Sequence, residues 1–77
     1  MPHVIVKMYA GRSEAQKQRL AKAVTDAVTS SLEYGDESVS VAIQDVAPEN
    51  GMKDVYEPDI QGKRERLYKR PGYGPLR

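Results

Sequence analysis

The residues that can do chemistry begin almost at the first position. Pro2 follows Met1 directly, and an initiator methionine ahead of so small a residue is ordinarily removed. Removal turns the Pro2 nitrogen into a free secondary amine in a rigid ring. A free α-amine has an ordinary pKa of about 8. Burial and nearby positive charge both disfavour its protonated form. An amine brought towards neutrality can take a proton from one atom and return it to another. With Met1 attached the same nitrogen is an amide and has no useful basicity. A Met-Pro opening by itself commonly does no more than set a chain end, so the residues around it must carry the argument.

Arg12 is the second candidate. A guanidinium keeps its charge and grips a carboxylate with two parallel hydrogen bonds. Its bland reading is a solvated residue in a loop ahead of a helix. His3 is the sole imidazole of the chain. Beside Pro2 on a strand it points to the opposite face, since side chains alternate, and it reads as structural or interfacial. The aromatics are five tyrosines, each read as a packing residue with a wet hydroxyl. Lys7 and Lys53 are auxiliary candidates for holding a carboxylate. No Ser–His–acid set, phosphate loop or metal constellation is present, so the chemistry expected is cofactor-free and metal-free.

The elements that must position these residues follow from periodicity. Val4, Val6 and Met8 alternate with His3, Ile5, Lys7 and Tyr9, a period of two that predicts a strand. Ala10, Gly11 and Arg12 form a turn. Ser13 and Gln16 match a capping box, and Leu20, Val24, Val28 and Leu32 recur every fourth residue. They predict an amphipathic helix of about five turns, with Gly35 as its stop after Tyr34. Val39, Val41 and Ile43 alternate with Ser40, Ala42 and Gln44 in a second strand. Strand, crossover helix and strand make a βαβ unit, so the strands should be parallel. Pro48-Glu49-Asn50-Gly51 punctuates the chain. Val55, Tyr56, Ile60, Leu67 and Tyr68 then predict a second helix over about 58–69, with Pro58 in its first turn. Residues 71–75 read as a tail.

Length and composition bound the rest. A chain of 77 residues is one domain with a modest core and a thin stability margin. It has no cysteine, so no disulfide adds to that margin, and a reducing cytoplasm is the expected setting. An obligate homo-oligomer is the remaining source of stability, because two parallel strands leave edges that a second copy can cover. No apolar run approaches a membrane span and the opening strand is no signal peptide. Net charge is +1. The local run Lys63, Arg64, Arg66, Lys69 and Arg70 reads as a solvated helix face, since few aromatics or glycine-rich loops accompany it. Neither a nucleic-acid nor a membrane partner is expected.

Taken together, several short phrases resemble the 4-oxalocrotonate tautomerase family. They are Met1-Pro2 and its strand, Gly11-Arg12-Ser13, Gln16-Lys17 with Leu20-Ala21, and Ser38-Val39-Ser40-Val41. The stretches 55–60 and 69–73 resemble its longer-tailed bacterial branch, so the likeness spans nearly the whole chain. The resemblance implies an α+β subunit of β-α-β tautomerase fold, with a C-terminal helix and tail, whose sheet is completed by dimerisation. Family members assemble as hexamers or dimers. The implied chemistry is enol–keto tautomerisation of 2-oxo acids, with Pro2 as base and Arg12 holding or polarising a carboxylate. Members acting on dicarboxylates carry a second arginine where this chain has Ser40. A hydroxyl cannot make the bidentate charged pair, so a monocarboxylate of phenylpyruvate type suits this chain better. The family also places an aromatic after the second strand; here Met52 or Tyr56 is expected to line the pocket, Tyr56 ahead. Two alternatives stay open. One is a non-catalytic oligomeric module binding a small acid or a protein. The other is hydration or dehalogenation of an unsaturated acid, with protonated Pro2 as the acid.

Overall fold

Strand β1 runs over His3–Tyr9 and pairs in parallel with β2, Ser40–Val46, in the register His3↔Ser40 through Tyr9↔Val46. The structure is a computed structural model that describes all 77 residues. The chain forms two compact units, Met1–Val46 and Ala47–Arg77, each taken by itself below.

In the first unit the crossover helix α1, Glu14–Leu32, joins the two strands and packs on β2. Its start is the expected capping box. The Gln16 N–H donates to Ser13 Oγ at 3.1 Å, and the Ser13 N–H donates to Gln16 Oε1 at 3.0 Å. Two of the four donors a helix start leaves unpaired are met this way. The half-buried side chains Lys17, Leu20, Ala21, Val24 and Val28 form the stripe that the four-residue spacing implied. Val4 and Val6 of β1, with Val41 and Ile43 of β2, are half-buried on one face of the sheet. Lys17 of α1 reaches Asp45 at 2.7 Å. Asp45 lies two residues beyond Ile43 on the same face, so that face is the one α1 covers. The hydrogen bond to Asp45, reinforced by its charge, holds the Lys17 amine above its ordinary 10.5. The opposite face presents His3, Ile5 and Tyr9, with Ile5 55% and Tyr9 60% exposed.

The exit from α1 corrects one expectation. The helix stops at Leu32, and the left-handed residue that turns the chain is Glu33 (φ 57°, ψ 36°). Gly35 is extended (φ −76°) and leads into a single 3₁₀ turn at Asp36–Ser38. A methyl group at Gly35 would meet only the end of the exposed Glu37 side chain, which can swing aside. The left-handed position falls to a residue with a Cβ, which costs about 1–2 kcal/mol.

The second unit corrects another. The helix spans Met52–Gln61, with Pro58 inside it, and its hydrogen bonds follow the wider π pattern. The Gly62 N–H donates to the Glu57 carbonyl at 2.8 Å, five residues back. A Cβ on Gly62 would lie 2.7 Å from the Pro58 carbonyl oxygen and 3.0 Å from that of Glu57. Only glycine fits that close crossing of backbone, and the helix ends there, well before Lys69. Beyond it a 3₁₀ turn at Arg64–Arg66 precedes an extended Leu67, and Tyr68 is fully exposed. The apolar spacing of Leu67 and Tyr68 thus reflects no helix face.

Tyr56, 2% exposed, is the centre of this unit. Its hydroxyl donates to the Tyr73 carbonyl at 3.1 Å and accepts the Leu76 N–H at 2.9 Å. The Tyr56 and Tyr73 rings stand 5.7 Å apart, tilted by 58°, a favourable aromatic geometry. Gly74 has φ +73°, and a Cβ there would lie 2.4 Å from the Tyr56 ring. Only glycine lets the chain pass so close in that conformation. The Arg77 N–H donates to the Gly74 carbonyl at 3.1 Å and closes the turn.

Candidate active site

The parallel register brings Pro2 and Ser40 together. Pro2 is half-buried just ahead of β1, while Met1 before it is 88% exposed. The Ser40 N–H donates to the Pro2 carbonyl at 3.2 Å, extending the ladder one residue past β1. Ser40 pairs with His3 in the register, and His3 Nδ1 lies 2.6 Å from Ser40 Oγ. The opening residue, the imidazole and the serine hydroxyl therefore share one end of the sheet. Nothing in the local sequence joins His3 to Ser40, which are far apart along the chain. The signal that could have found the pair is that each is the first residue of its strand, and a parallel pair with aligned starts sets them side by side.

Arg12 is exposed, one residue beyond Gly11, whose φ is +121°. It lies past the far end of β1 from Pro2. Seven strand residues at about 3.3 Å each make roughly 23 Å. Within one copy, Arg12 and Pro2 therefore do not share a substrate-sized site. Met52 opens the π-helix and is half exposed. Tyr56 is buried with its hydroxyl engaged on both sides by the tail. No group of three or more His, Cys, Asp or Glu side chains is placed to hold a metal ion. No helix is long and apolar enough to cross a membrane.

The arrangement places a half-buried proline at the head of a parallel βαβ unit, beside the first rung of its sheet. Comparison with known proteins agrees with a tautomerase. The family model described as Tautomerase enzyme matches residues 2–56. A probable tautomerase of Xylella fastidiosa (strain 9a5c) is 47% identical over 76 residues, which cover 99% of this chain and 93% of that protein. Tautomerase PptA of Cronobacter sakazakii is 36% identical over 74 residues, 95% of this chain and 97% of the relative. Tautomerase PptA of Shigella sonnei is 35% identical over the same length. The chain belongs to the tautomerase family, and it is an isomerase of the tautomerase type.

Proposed function

We propose that this tautomerase interconverts the enol and keto forms of a 2-oxo acid, with Pro2 as the general base after Met1 is removed. The observation that carries the reading is the placement of Pro2. It is half-buried and hydrogen-bonded into the head of the sheet, behind a methionine exposed to a processing peptidase. In the forward direction the Pro2 nitrogen takes the proton of the enol hydroxyl. The oxygen's electron pair forms the carbonyl, and the double-bond pair accepts the same proton at carbon. Nothing is oxidised or reduced, so no cofactor is required. Arg12 binds the substrate carboxylate, and its charge next to the amine favours the unprotonated form. Because Arg12 and Pro2 lie at opposite ends of β1, the reading requires a homo-oligomer, a dimer or hexamer, in which a neighbouring copy supplies the arginine. The exposed apolar side chains of Ile5 and Tyr9 are consistent with such an assembly.

Ser40 brings no second positive charge where dicarboxylate-specific members carry an arginine, which favours a monocarboxylate. Met52 has its thioether open to an apolar contact, while Tyr56 has its hydroxyl already used and belongs to the tail. The absence of cysteine accords with work in the cytoplasm. The test is intact mass and phenylenolpyruvate ketonisation on one sample. Protein lacking Met1 should turn over, Pro2→Ala should lose at least about 100-fold in kcat, and Arg12→Ala should raise KM. Turnover by Met1-free protein that survives Pro2→Ala would refute the proline base.

A further inference from the structure

An amino-terminal proline has only one covalent neighbour. Once Met1 is gone, the direction of its nitrogen depends on rotation about the bond between its Cα and its carbonyl carbon. That rotation is set by whatever holds the carbonyl. Here the holder is the Ser40 N–H, 3.2 Å from the Pro2 oxygen. The Ser40 position depends in turn on the first rung between the strands. That rung carries a second tie, the 2.6 Å contact of His3 Nδ1 with Ser40 Oγ. Both ties meet at one residue, and both act on the residues that aim the amine. Either the hydroxyl donates to Nδ1 or the ring N–H donates to the hydroxyl; the tie holds in both cases.

We propose that His3 and Ser40 are a positioning pair for the Pro2 amine, with the Ser40 N–H setting the proline carbonyl and the His3–Ser40 side-chain bond holding Ser40 in place. The inference rests on the reading of Pro2 as the base. It gives the sole imidazole a role that acts through its neighbour's neighbour across the sheet. It also assigns the Ser40 hydroxyl first to His3 and only through it to the reaction.

A misplacement of about 1 Å can cost a reaction roughly 100-fold. Loss of the side-chain tie leaves the backbone bond in place, so a partial effect of about tenfold is expected. The experiment uses Met1-free protein and phenylenolpyruvate, with Pro2→Ala, Ser40→Ala, Ser40→Thr, His3→Leu and His3→Asn measured together. Ser40→Ala and His3→Leu should each lower kcat about tenfold while KM stays within about twofold. The double variant should be no slower than either single one, because one bond is removed in all three. Ser40→Thr and His3→Asn, which keep a hydrogen-bonding atom at the same place, should recover most of the rate. Unchanged kcat in Ser40→Ala and His3→Leu, or a rise in KM alone, overturns the pair as positioning residues. If one variant does not fold, the other and its polar rescue decide. Activity indifferent to Pro2→Ala sinks the base reading itself, whereas Pro2-dependent activity indifferent to His3→Leu sinks only this inference.

Discussion

Tyr56→Phe should loosen the end of the chain without emptying the centre of its unit. The ring stays, and with it the contact to Tyr73 at 5.7 Å. What goes is one hydroxyl making two hydrogen bonds, to the Tyr73 carbonyl and from the Leu76 N–H. Each such bond contributes about 0.5–1.5 kcal/mol net. Tyr73 is exposed and Leu76 only half-buried, so water can replace part of the loss. The expected cost is then about 1–2 kcal/mol. That energy holds down a short tail, so it should appear as local opening before global unfolding. Amide hydrogen exchange at Leu76 is the direct assay, and its protection should fall roughly 5–30-fold. Gly74→Ala attacks the same latch from the other side. It adds left-handed strain of about 1–2 kcal/mol and a Cβ 2.4 Å from the Tyr56 ring. Leu76 should then exchange as an unprotected amide. The two effects should not add, since the latch can open only once. Unchanged Leu76 protection in Tyr56→Phe would refute the latch, and a fall in global stability alone would make Tyr56 a packing residue only.

Ser13→Ala removes one half of the capping box at α1 and should destabilise the first unit by about 1 kcal/mol in denaturant unfolding. Glu33→Gly should do the reverse. It relieves the left-handed strain at φ 57° against the extra freedom of an unfolded glycine, a net gain of about 0.5–1 kcal/mol by the same measurement. The amines of Lys17 and Lys22 are held above their ordinary 10.5, chiefly by hydrogen bonds to Asp45 and Asp26. A folded value above the unfolded one means the contribution is complete below about pH 10.5 and is lost as pH rises through the folded value. Wild type should therefore lose more stability than Lys17→Met as pH rises above about 10.5. Equal alkaline slopes would refute the role of the Lys17–Asp45 pair.

Much of the first unit was legible in order along the chain. A two-residue alternation, a capping box with a four-residue apolar stripe and a second alternation specify β1, α1 and β2 by local chemistry. Parallel pairing then follows from the crossover. Pro2 and Arg12 were legible as candidates because an amine and a guanidinium carry their chemistry in their residue types. Their separation across β1 follows from strand rise alone, and the proposed reaction is what calls for a second copy to bring them together.

The remaining features depend on atoms that meet from distant positions. Glu33, and not the glycine two residues on, takes the left-handed turn, a choice that no periodicity encodes. The π-helix ends at Gly62, where two carbonyls leave no room for a Cβ, while the apolar spacing running on to Tyr68 pointed further. The Tyr56 hydroxyl finds both its partners, the Tyr73 carbonyl and the Leu76 N–H, in a tail that returns from far along the chain. His3 and Ser40 meet only when the strand starts align. Local propensity is written in neighbouring residues. A side chain's partner is a matter of register and of returning chain, and these exist only once the backbone has closed on itself.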